Sequence, residues 1–230
     1  MNLLEVRQAS LSYRRRLGLF RRDVKPALLD VSFDVQRGET LGVIGRNGSG
    51  KSTLLRVLAG IYPPDSGSIN SQASSVALMT LMLGFDPVLS GRDNALFGGM
   101  LLGFSRMEVL GQIDSMKEFS GLGADFEKPV GGYSSGMASR LSFSVAINLA
   151  PDVMLIDEVL AVGDESFRKK AYAAMSDKIT SDQTAVFVSH SAVEIERLCD
   201  RVILLDGGQL LNCGDPAPMI AEYRKLIADS

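Results

Sequence analysis

The octapeptide GRNGSGKS at residues 45–52 restricts the possible folds of this chain more than any other part of its sequence. It lies between an apolar run at residues 40–44 and a segment with helical apolar spacing at residues 54–58. A P-loop binds phosphate in this strand–loop–helix context, because glycines turn the backbone N–H groups inward and the following helix presents its positive end. The octapeptide therefore predicts a nucleoside triphosphate site in an α/β fold. The alternative is a glycine-rich turn that happens to precede a helix.

Individual residues of the P-loop have separate predicted roles. Lys51 is predicted to place a point charge beside the β- and γ-phosphates, and the hydroxyl of Ser52 to bind Mg²⁺. The other predicted nucleotide contacts of this stretch are Gly45, Asn47, Gly48, Ser49, Gly50 and Thr53. ATP and Mg²⁺ are thus the predicted ligands.

Two adjacent carboxylates, Asp157 and Glu158, follow an apolar run at residues 153–156. Four consecutive apolar residues are typical of a central strand in a parallel sheet, and ligands bind at the carboxyl edge of such sheets. Asp157 is therefore predicted to hold Mg²⁺, directly or through water. Glu158 is predicted to orient and activate the water that attacks the γ-phosphate. A pair of solvated surface carboxylates is the alternative.

The chain has one histidine, His190, which follows an apolar run at residues 186–188. It would leave a third strand at the same edge as Lys51 and Glu158. We therefore expect its imidazole to contact the γ-phosphate or the attacking water. A purely structural histidine is the alternative.

An aromatic residue, Tyr13, precedes the P-loop by about thirty residues. A ring in this position can stack on adenine, because it contacts the π-face of the base without reading a hydrogen-bond pattern. Tyr13 is therefore predicted to bind the base. The alternative is an ordinary half-buried tyrosine of a strand.

Composition restricts the class of protein. With 230 residues the chain can bury a full core, as one large α/β domain or as one domain with an inserted lobe. Its formal net charge of −3 predicts no general nucleic-acid surface. Because the N-terminus lacks a long apolar core and no run approaches about 18 apolar residues, we expect no signal peptide, no spanning segment and a cytoplasmic location. Cys199 and Cys213 are expected to be reduced thiols.

The chain is predicted to form a single domain, residues 1–230, with two parts. Residues from about 78 to 150 are rich in methionine, glycine and helical spacing, with a capping box at Ser105 and Glu108, and they predict an inserted helical subdomain. The flanking stretches, about 1–77 and 151–230, predict the α/β core.

Local patterns predict three further features of the core. An alternation of apolar and polar residues predicts a strand with one wet face, whose apolar positions are Leu29, Val31, Phe33 and Val35. Residues 206–208, Asp-Gly-Gly, predict a hairpin turn, and the Asp-Pro pair at 215–216 predicts the start of a closing helix.

A second candidate anion site lies in the helical part, where the segment YSSGM at residues 133–137 is predicted to begin a helix. One nucleotide does not need two such sites in one chain. A head-to-tail dimer would explain both, with ATP between the P-loop of one chain and Ser134, Ser135 and Gly136 of the other. Taken alone, the segment is better explained as a simple helix cap.

In this order and spacing, GRNGSGKS, YSSGM, MLIDE and VSHS resemble the Walker A, signature, Walker B and switch-histidine motifs of ABC-type ATPases, over essentially the whole chain. The resemblance implies a P-loop NTPase (RecA-like) core with an inserted helical subdomain and an N-terminal antiparallel β portion, the ABC-type nucleotide-binding domain. It also implies that Asp164, six positions after Glu158, is the D-loop aspartate at a dimer interface.

The segments LGFDPVLSGRDN, DEVLAVGD and LCDRVILLDGG, with YSSGM in place of the common LSGGQ, resemble the ATPase subunits of bacterial polysaccharide exporters. Those subunits work in pairs beneath a dimeric membrane permease. They drive lipid-linked O-antigen, capsular polysaccharide or teichoic acid across the cytoplasmic membrane. The resemblance implies an ATP-hydrolysing exporter subunit that is peripheral at the cytoplasmic face of the inner membrane. Its implied partners are a second copy of itself, the permease and, through the permease, the lipid-linked polysaccharide.

Other function classes stay open as alternatives. Export of teichoic acid, or of another substrate by an ABC exporter, is the nearest one. A soluble ABC ATPase acting on ribosomes or DNA would carry twin ATPase cores or long coiled-coil insertions, and this sequence has neither. A P-loop kinase would need an acceptor-substrate pocket, and it gives no account of YSSGM.

ABC-type ATPases usually carry a Mg²⁺-sensing glutamine where residues 77–82 read ALMTLM, so Thr80 or a backbone group is expected to substitute.

Residues 14–22 hold five arginines around an apolar centre, in a predicted loop between two strands. We expect the apolar residues to enter the lipid headgroup boundary, while the arginines meet anionic lipid or the pyrophosphate of a lipid-linked substrate. A solvated loop is the alternative.

Overall fold

The computed structural model describes residues 1–16, 22–79, 84–149, 151–157 and 163–228. Its strands are β1 (Asn2–Arg16), β2 (Arg22–Gln36), β3 (Thr40–Ile44), β4 (Ser66–Ser71), β5 (Val76–Leu78), β6 (Val153–Ile156), β7 (Thr184–Val188), β8 (Arg201–Asp206) and β9 (Gln209–Gly214). Its α-helices are α1 (Lys51–Leu58), α2 (Gly91–Leu101), α3 (Arg106–Ser120), α4 (Ser135–Asn148), α5 (Glu165–Ile179), α6 (Ala192–Leu198) and α7 (Pro216–Ala228). Two short 3₁₀ helices span Gly123–Glu127 and Val130–Gly132.

A six-stranded sheet with the order β5-β6-β7-β3-β8-β9 forms the centre of the molecule, and its neighbouring strands are parallel except for β8 and β9. Strands β3, β6 and β7 are buried along their whole length, as expected for strands covered on both faces. Because β7 lies between β3 and β6, the residues that follow these three strands leave the sheet at one edge.

A second sheet is antiparallel and has the order β2-β1-β4. Apolar side chains of β1, β2 and α1 share one core with those of β3, β6, β7 and β8. Side chains of α4, α5, α6 and α7 form a second core with the same strands on the other side of the sheet. The predicted α/β fold class, with an N-terminal antiparallel portion, is confirmed.

The predicted inward face of β2 is wrong at its first position. Leu29 is exposed and its neighbour Leu28 is fully buried, whereas Val31 and Val35 are buried as expected. Asp30 has a φ of 54° and the register between β1 and β2 shifts here, so a bulge moves the inward face by one residue.

Helices α2, α3 and α4 surround a core of their own that includes Phe126, Met116 and Leu141. The predicted capping box is present, because Ser105 N donates to Glu108 Oε2 at 2.7 Å and Glu108 N donates to Ser105 Oγ at 3.3 Å. The other side of α4 packs against the second core of the sheet. This helix therefore connects the helical part to the α/β part.

An ion cluster stabilises the helical part around Phe126. Glu127 accepts hydrogen bonds from Arg92 at 3.0 Å and from Lys117 at 2.8 Å, and both cations lie over the ring of Phe126. The two hydrogen bonds lower the pKa of Glu127 to about 2.

Two other local predictions are confirmed. Residues 207–208 form the turn between β8 and β9, and α7 begins at Pro216.

Both thiols are free, and burial raises the pKa of the Cys199 thiol to about 12. Among the described residues, no helix combines the length and the apolar character needed to cross a membrane.

The arginine-rich segment is less of a loop than the sequence predicts. Strand β1 continues to Arg16 and β2 begins at Arg22, and these two residues are antiparallel partners. Residues 14–16 and 22 therefore lie in a long two-stranded ribbon, and Arg14 forms an ion pair with Asp65 at 3.1 Å. The rest of the segment, residues 17–21, lies outside the described residues, as does Thr80.

Candidate functional site

The P-loop connects β3 to α1 and depends on glycine at two positions. Gly50 has a φ of 108°, and a β-carbon on it would lie 2.5 Å from the carbonyl oxygen of Ala27. Gly45 has a φ of 156°, and a β-carbon on it would collide with the carbonyl oxygen of Leu205. A side chain at either position would both strain the backbone and push neighbouring strands away.

Lys51, at the start of α1, is buried and directed back into the loop. Its Nζ donates to the carbonyl oxygens of Gly45 at 2.7 Å and Arg46 at 2.9 Å. Tyr223 of α7 also donates to the Gly45 carbonyl, at 3.3 Å. The lysine thus holds the loop closed by donating to two carbonyl oxygens. Phosphate oxygens are stronger acceptors and can take the place of these carbonyls.

The turn between β8 and β9 supports the P-loop from outside. Arg46 donates to both carboxylate oxygens of Asp206, at 2.7 and 2.6 Å, which lowers the pKa of Asp206 and raises that of Arg46. Gly208 N donates to the carbonyl of Ser49 at 3.0 Å. Within the described residues the buried Ser49 Oγ has no hydrogen-bond partner. Sequence reasoning missed this support, for which the hairpin signal of residues 206–208 was the only available pointer.

A cavity of about 280 Å³ lies above the P-loop and brings most of the predicted site residues together. The predicted residues that line it are Tyr13, Asn47, Gly48, Gly50, Lys51, Ser52, Thr53, Asp157 and His190. Asp157 follows β6 and His190 follows β7, which places both at the edge where β3 enters the P-loop. Gly45 and Ser49 lie in the loop without lining the cavity, and Glu158 lies outside the described residues.

Tyr13 lies at the mouth of this cavity and is held there by two contacts. Its hydroxyl is 3.0 Å from Thr53 Oγ1, and the edge of its ring meets Tyr62 at a centroid distance of 5.9 Å. About a third of the residue, 37 %, stays exposed. The ring is therefore fixed relative to α1 while keeping surface for a ligand.

Three residues of β2 line the cavity that no motif predicted, namely Lys25, Pro26 and Ala27. They reach it because Lys25 is the antiparallel partner of Tyr13 across the ribbon. The sequence carries no local signal for this position, since it depends on the register between two strands.

The residues predicted to complete the site from a second chain form a separate group. Ser134 caps α4 by accepting from Met137 N at 3.2 Å, and Asp164 caps α5 by accepting from Phe167 N at 2.9 Å. A β-carbon on Gly136 would lie 3.9 Å from the Cα of Gly163, next to Asp164. Ser134, Ser135, Gly136 and Asp164 do not line the cavity of their own chain.

The sheet order and the cavity define a P-loop nucleoside-triphosphate-binding cassette. A glycine-rich loop follows a buried parallel strand, and a lysine, a hydroxyl and a carboxylate converge on one cavity at the carboxyl edge of the sheet. Backbone N–H groups and a lysine ammonium are groups that can bind polyphosphate, and an exposed aromatic ring is a group that can stack on a base.

Comparison with known proteins narrows this class. Residues 28–161 match the family described as "ABC transporter". The O-antigen export system ATP-binding proteins RfbB of Myxococcus xanthus and Klebsiella pneumoniae are 46 % and 40 % identical over 88 % of this chain, which covers 46 % and 82 % of their lengths. The teichoic acids export ATP-binding protein TagH of Enterococcus faecalis is 40 % identical over 87 % of this chain and 45 % of its own length.

A solved dimeric ATP-binding cassette bound to ADP and phosphate has the same fold, with a TM-score of 0.73 over 93 % of this chain and 98 % of that chain, at 18 % identity. The chain spans less than half the length of the Myxococcus and Enterococcus relatives. It belongs to the ABC transporter family, and its reaction is ATP hydrolysis. The predictions of the family, of ATP as the ligand and of an ATPase are therefore confirmed.

Proposed function

We propose that this chain is the ATP-hydrolysing subunit of a bacterial exporter that moves lipid-linked polysaccharide, of the O-antigen or capsule type, across the cytoplasmic membrane. It acts from the cytoplasmic face as a peripheral subunit. The observation that carries the proposal is the cavity in which the P-loop, Asp157 and His190 meet. The similarity to O-antigen export ATP-binding proteins supports the class of transported substrate.

The P-loop binds the polyphosphate of ATP. Lys51 exchanges the carbonyl oxygens of Gly45 and Arg46 for β- and γ-phosphate oxygens, and the ion pair of Arg46 with Asp206 keeps the loop in shape during this exchange. Tyr13 takes the adenine ring at the other end of the cavity.

The hydroxyl of Ser52 and the carboxylate of Asp157 line the same cavity and would hold Mg²⁺. These are the hard oxygen ligands that Mg²⁺ prefers, and it commonly uses one or two protein groups beside phosphate oxygens and water. The described residues hold no cluster of three or more His, Cys, Asp or Glu side chains for a metal, so the nucleotide must supply further ligands. When bound, Mg²⁺ neutralises the charge that develops on the phosphates.

The reacting water is handled by the residues that follow β6 and β7. Glu158 directly follows Asp157 in the chain, and in this proposal it orients the water and accepts its proton. His190 contacts the γ-phosphate or that water from the neighbouring strand.

A second copy of the chain completes each site. Ser135 and Gly136 lie at the N-terminus of α4, where backbone N–H groups attract a phosphate, yet they do not line the cavity of their own chain. In a head-to-tail dimer each ATP lies between one P-loop and the partner's α4, with Asp164 at the interface.

In this proposal the helical part contacts the membrane permease through exposed apolar side chains of α2 and α3. These side chains are those of Phe97, Met100, Leu101, Met107 and Leu110. Exposed apolar surface of this kind marks interaction sites. Because the same helical part carries Ser135 and Gly136, a permease seated here would be coupled to the state of the nucleotide.

Export of teichoic acid by the same mechanism is the second candidate, favoured by the similarity to TagH. Both candidates use a lipid-linked polymer, and the site residues are the same. They differ in the polymer that accumulates inside cells when the ATPase is inactivated.

The proposal is tested by recovery of the chain with an integral membrane permease after mild detergent extraction. We expect co-purification of the parent, and its loss when Leu101 and Met107 are both changed to Ser. Ile227→Ser, on α7, is the matched control, since it removes an exposed apolar side chain elsewhere. A parent chain that never co-purifies with a permease would contradict the proposal.

A further inference from the structure

Lys25 is a lysine of the nucleotide cavity that belongs to none of the family motifs in the sequence. It lies directly opposite Tyr13 in the antiparallel ribbon. Residues directly opposite each other in such a pair extend on the same face, with β-carbons about 5 Å apart. Both residues line the cavity, so the ribbon brings a lysine next to the aromatic residue.

Strand β2 runs from the position opposite Tyr13 towards the P-loop, and Lys25 lies on this path. Ala27, two residues further along, touches the P-loop, because its carbonyl oxygen lies 2.5 Å from the β-carbon position of Gly50. Two residues of extended strand span about 6.6 Å. Lys25 therefore lies about one such step from the phosphate-binding glycine, on the side where Tyr13 stands.

The two lysines of the cavity are in different states. Lys51 is buried and donates to two loop carbonyls, whereas Lys25 is exposed. Within the part of the chain that the structure describes, the side chain of Lys25 forms no ion pair and no hydrogen bond.

We propose that Lys25 is a nucleotide-binding residue whose ammonium contacts the α-phosphate of ATP and ADP. This inference rests on the proposed function, in which Tyr13 takes the base and the P-loop takes the β- and γ-phosphates. The α-phosphate is the anionic group between those two positions. Because it is present before and after hydrolysis, Lys25 stabilises substrate, transition state and product alike, and acts on affinity rather than on the rate of the chemical step.

The test compares Lys25→Gln and Lys25→Arg with the parent by competition against a fluorescent ATP analogue. ATP, ADP and adenosine are the competitors. Lys25→Gln removes a charge-assisted hydrogen bond between an exposed ammonium and a phosphate. We therefore expect this variant to bind ATP and ADP about three- to tenfold more weakly than the parent. Lys25→Arg keeps the charge and should stay within about twofold of the parent. Adenosine, which has no phosphate, should bind equally to all three.

A control variant and a kinetic measurement accompany the binding test. Lys128→Gln removes an exposed lysine of the helical part and should leave every affinity unchanged. The maximal ATPase rate of Lys25→Gln should match that of the parent, while its KM rises by the same factor as the ATP affinity falls.

Equal ATP affinity of Lys25→Gln and parent overturns this inference alone. A loss for adenosine as large as that for ATP also overturns it, because the contact would then be to the base or ribose. A parent chain that binds no ATP overturns the proposed function and this inference with it.

Discussion

The substitution Glu158→Gln tests the proposed role of Glu158 as the proton acceptor in hydrolysis. Glutamine keeps the shape of the side chain but cannot accept a proton from the attacking water, so ATP binding should survive. Hydrolysis should fall by about 10²- to 10⁴-fold. We expect ATP-stabilised dimers to accumulate, measured by gel filtration together with phosphate release. The control Glu118→Gln, an exposed position of α3, should keep the parent rate. Hydrolysis by Glu158→Gln at the parent rate would exclude Glu158 as the base.

Tyr13 tests the base-binding end of the cavity. Stacking of a base on an aromatic ring is worth about 1–3 kcal/mol, so Tyr13→Ala should weaken ATP binding about tenfold. Tyr13→Phe keeps the ring and loses the contact with Thr53, so its affinity should stay close to that of the parent. Calorimetric titration with ATP measures both. Unchanged affinity of Tyr13→Ala would mean that the ring belongs to the fold and not to the site.

Single residues differ in how far the sequence predicts their place in the site. Buried parallel strands precede Lys51, Asp157 and His190 in the sequence. The rule that ligands bind at the carboxyl edge of such strands therefore predicted that these three residues line one cavity. Lys25 and Asp206 could not be found this way. Their positions depend on the register of the ribbon and on a hairpin docked against the P-loop, and both are tertiary arrangements.

At the level of elements, periodicity predicts the strand β2 but not its bulge. The alternation of apolar and polar residues predicts that Leu29 is buried. In the structure Leu28 is buried instead, because Asp30 has a positive φ and forms a bulge. The ribbon likewise extends further than its composition suggests, because Arg16 and Arg22 pair with each other through the backbone. Division of the chain near residues 77 and 150 is still a prediction, and α4 packs against both parts.

The ion cluster of the helical part predicts a dependence of stability on pH. The pKa of Glu127 is lowered from 4.5 to about 2 by Arg92 and Lys117. A carboxylate with a depressed pKa in the folded state stabilises the fold above its unfolded pKa, and this contribution is lost as the pH falls from about 4.5 towards about 2.

Urea unfolding of the parent and of Glu127→Gln measures this contribution. Because Glu127 is 44 % exposed, solvent screening limits the expected difference in unfolding free energy to about 1 kcal/mol at neutral pH. The difference should shrink at about pH 3, where the unfolded state takes up the proton. Glu118→Gln, at another exposed position of the helical part, should show no such change. A difference that is constant with pH would contradict the assignment.

The arginine-rich segment, residues 14–22, leads to a prediction about the coupling of ATP hydrolysis to export. Changing Arg14, Arg15, Arg16, Arg21 and Arg22 to Gln should leave the ATPase rate of the isolated subunit nearly unchanged, because the one described ion pair, Arg14 with Asp65, is exposed. Export by the assembled transporter should fall, since each arginine near an anionic surface contributes about 1 kcal/mol. Both rates are measured on the same variant. Unchanged export would leave the ribbon without a transport role, and a lost ATPase rate would assign it to the fold or to Tyr13.

The whole molecule divides its predicted site residues into two groups. One group lines the cavity above the P-loop, and the other lies at the N-termini of α4 and α5. A composite site shared by two copies accounts for both groups with one nucleotide per P-loop. In a closed symmetric dimer the two sites are equivalent, and each needs a P-loop from one chain and a signature segment from the other.

Mixing two inactive variants tests this account directly. Lys51→Ala removes the lysine of the P-loop, and Gly136→Asp places a negative charge where the γ-phosphate is expected. A β-carbon at Gly136 would have no neighbour closer than 3.8 Å, so the second variant should fold. Each variant alone should be inactive. Their mixture should recover up to about a quarter of the parent ATPase rate, because half of the dimers are mixed and each mixed dimer has one intact site. Well-folded mixed dimers with no ATPase activity would contradict the composite site.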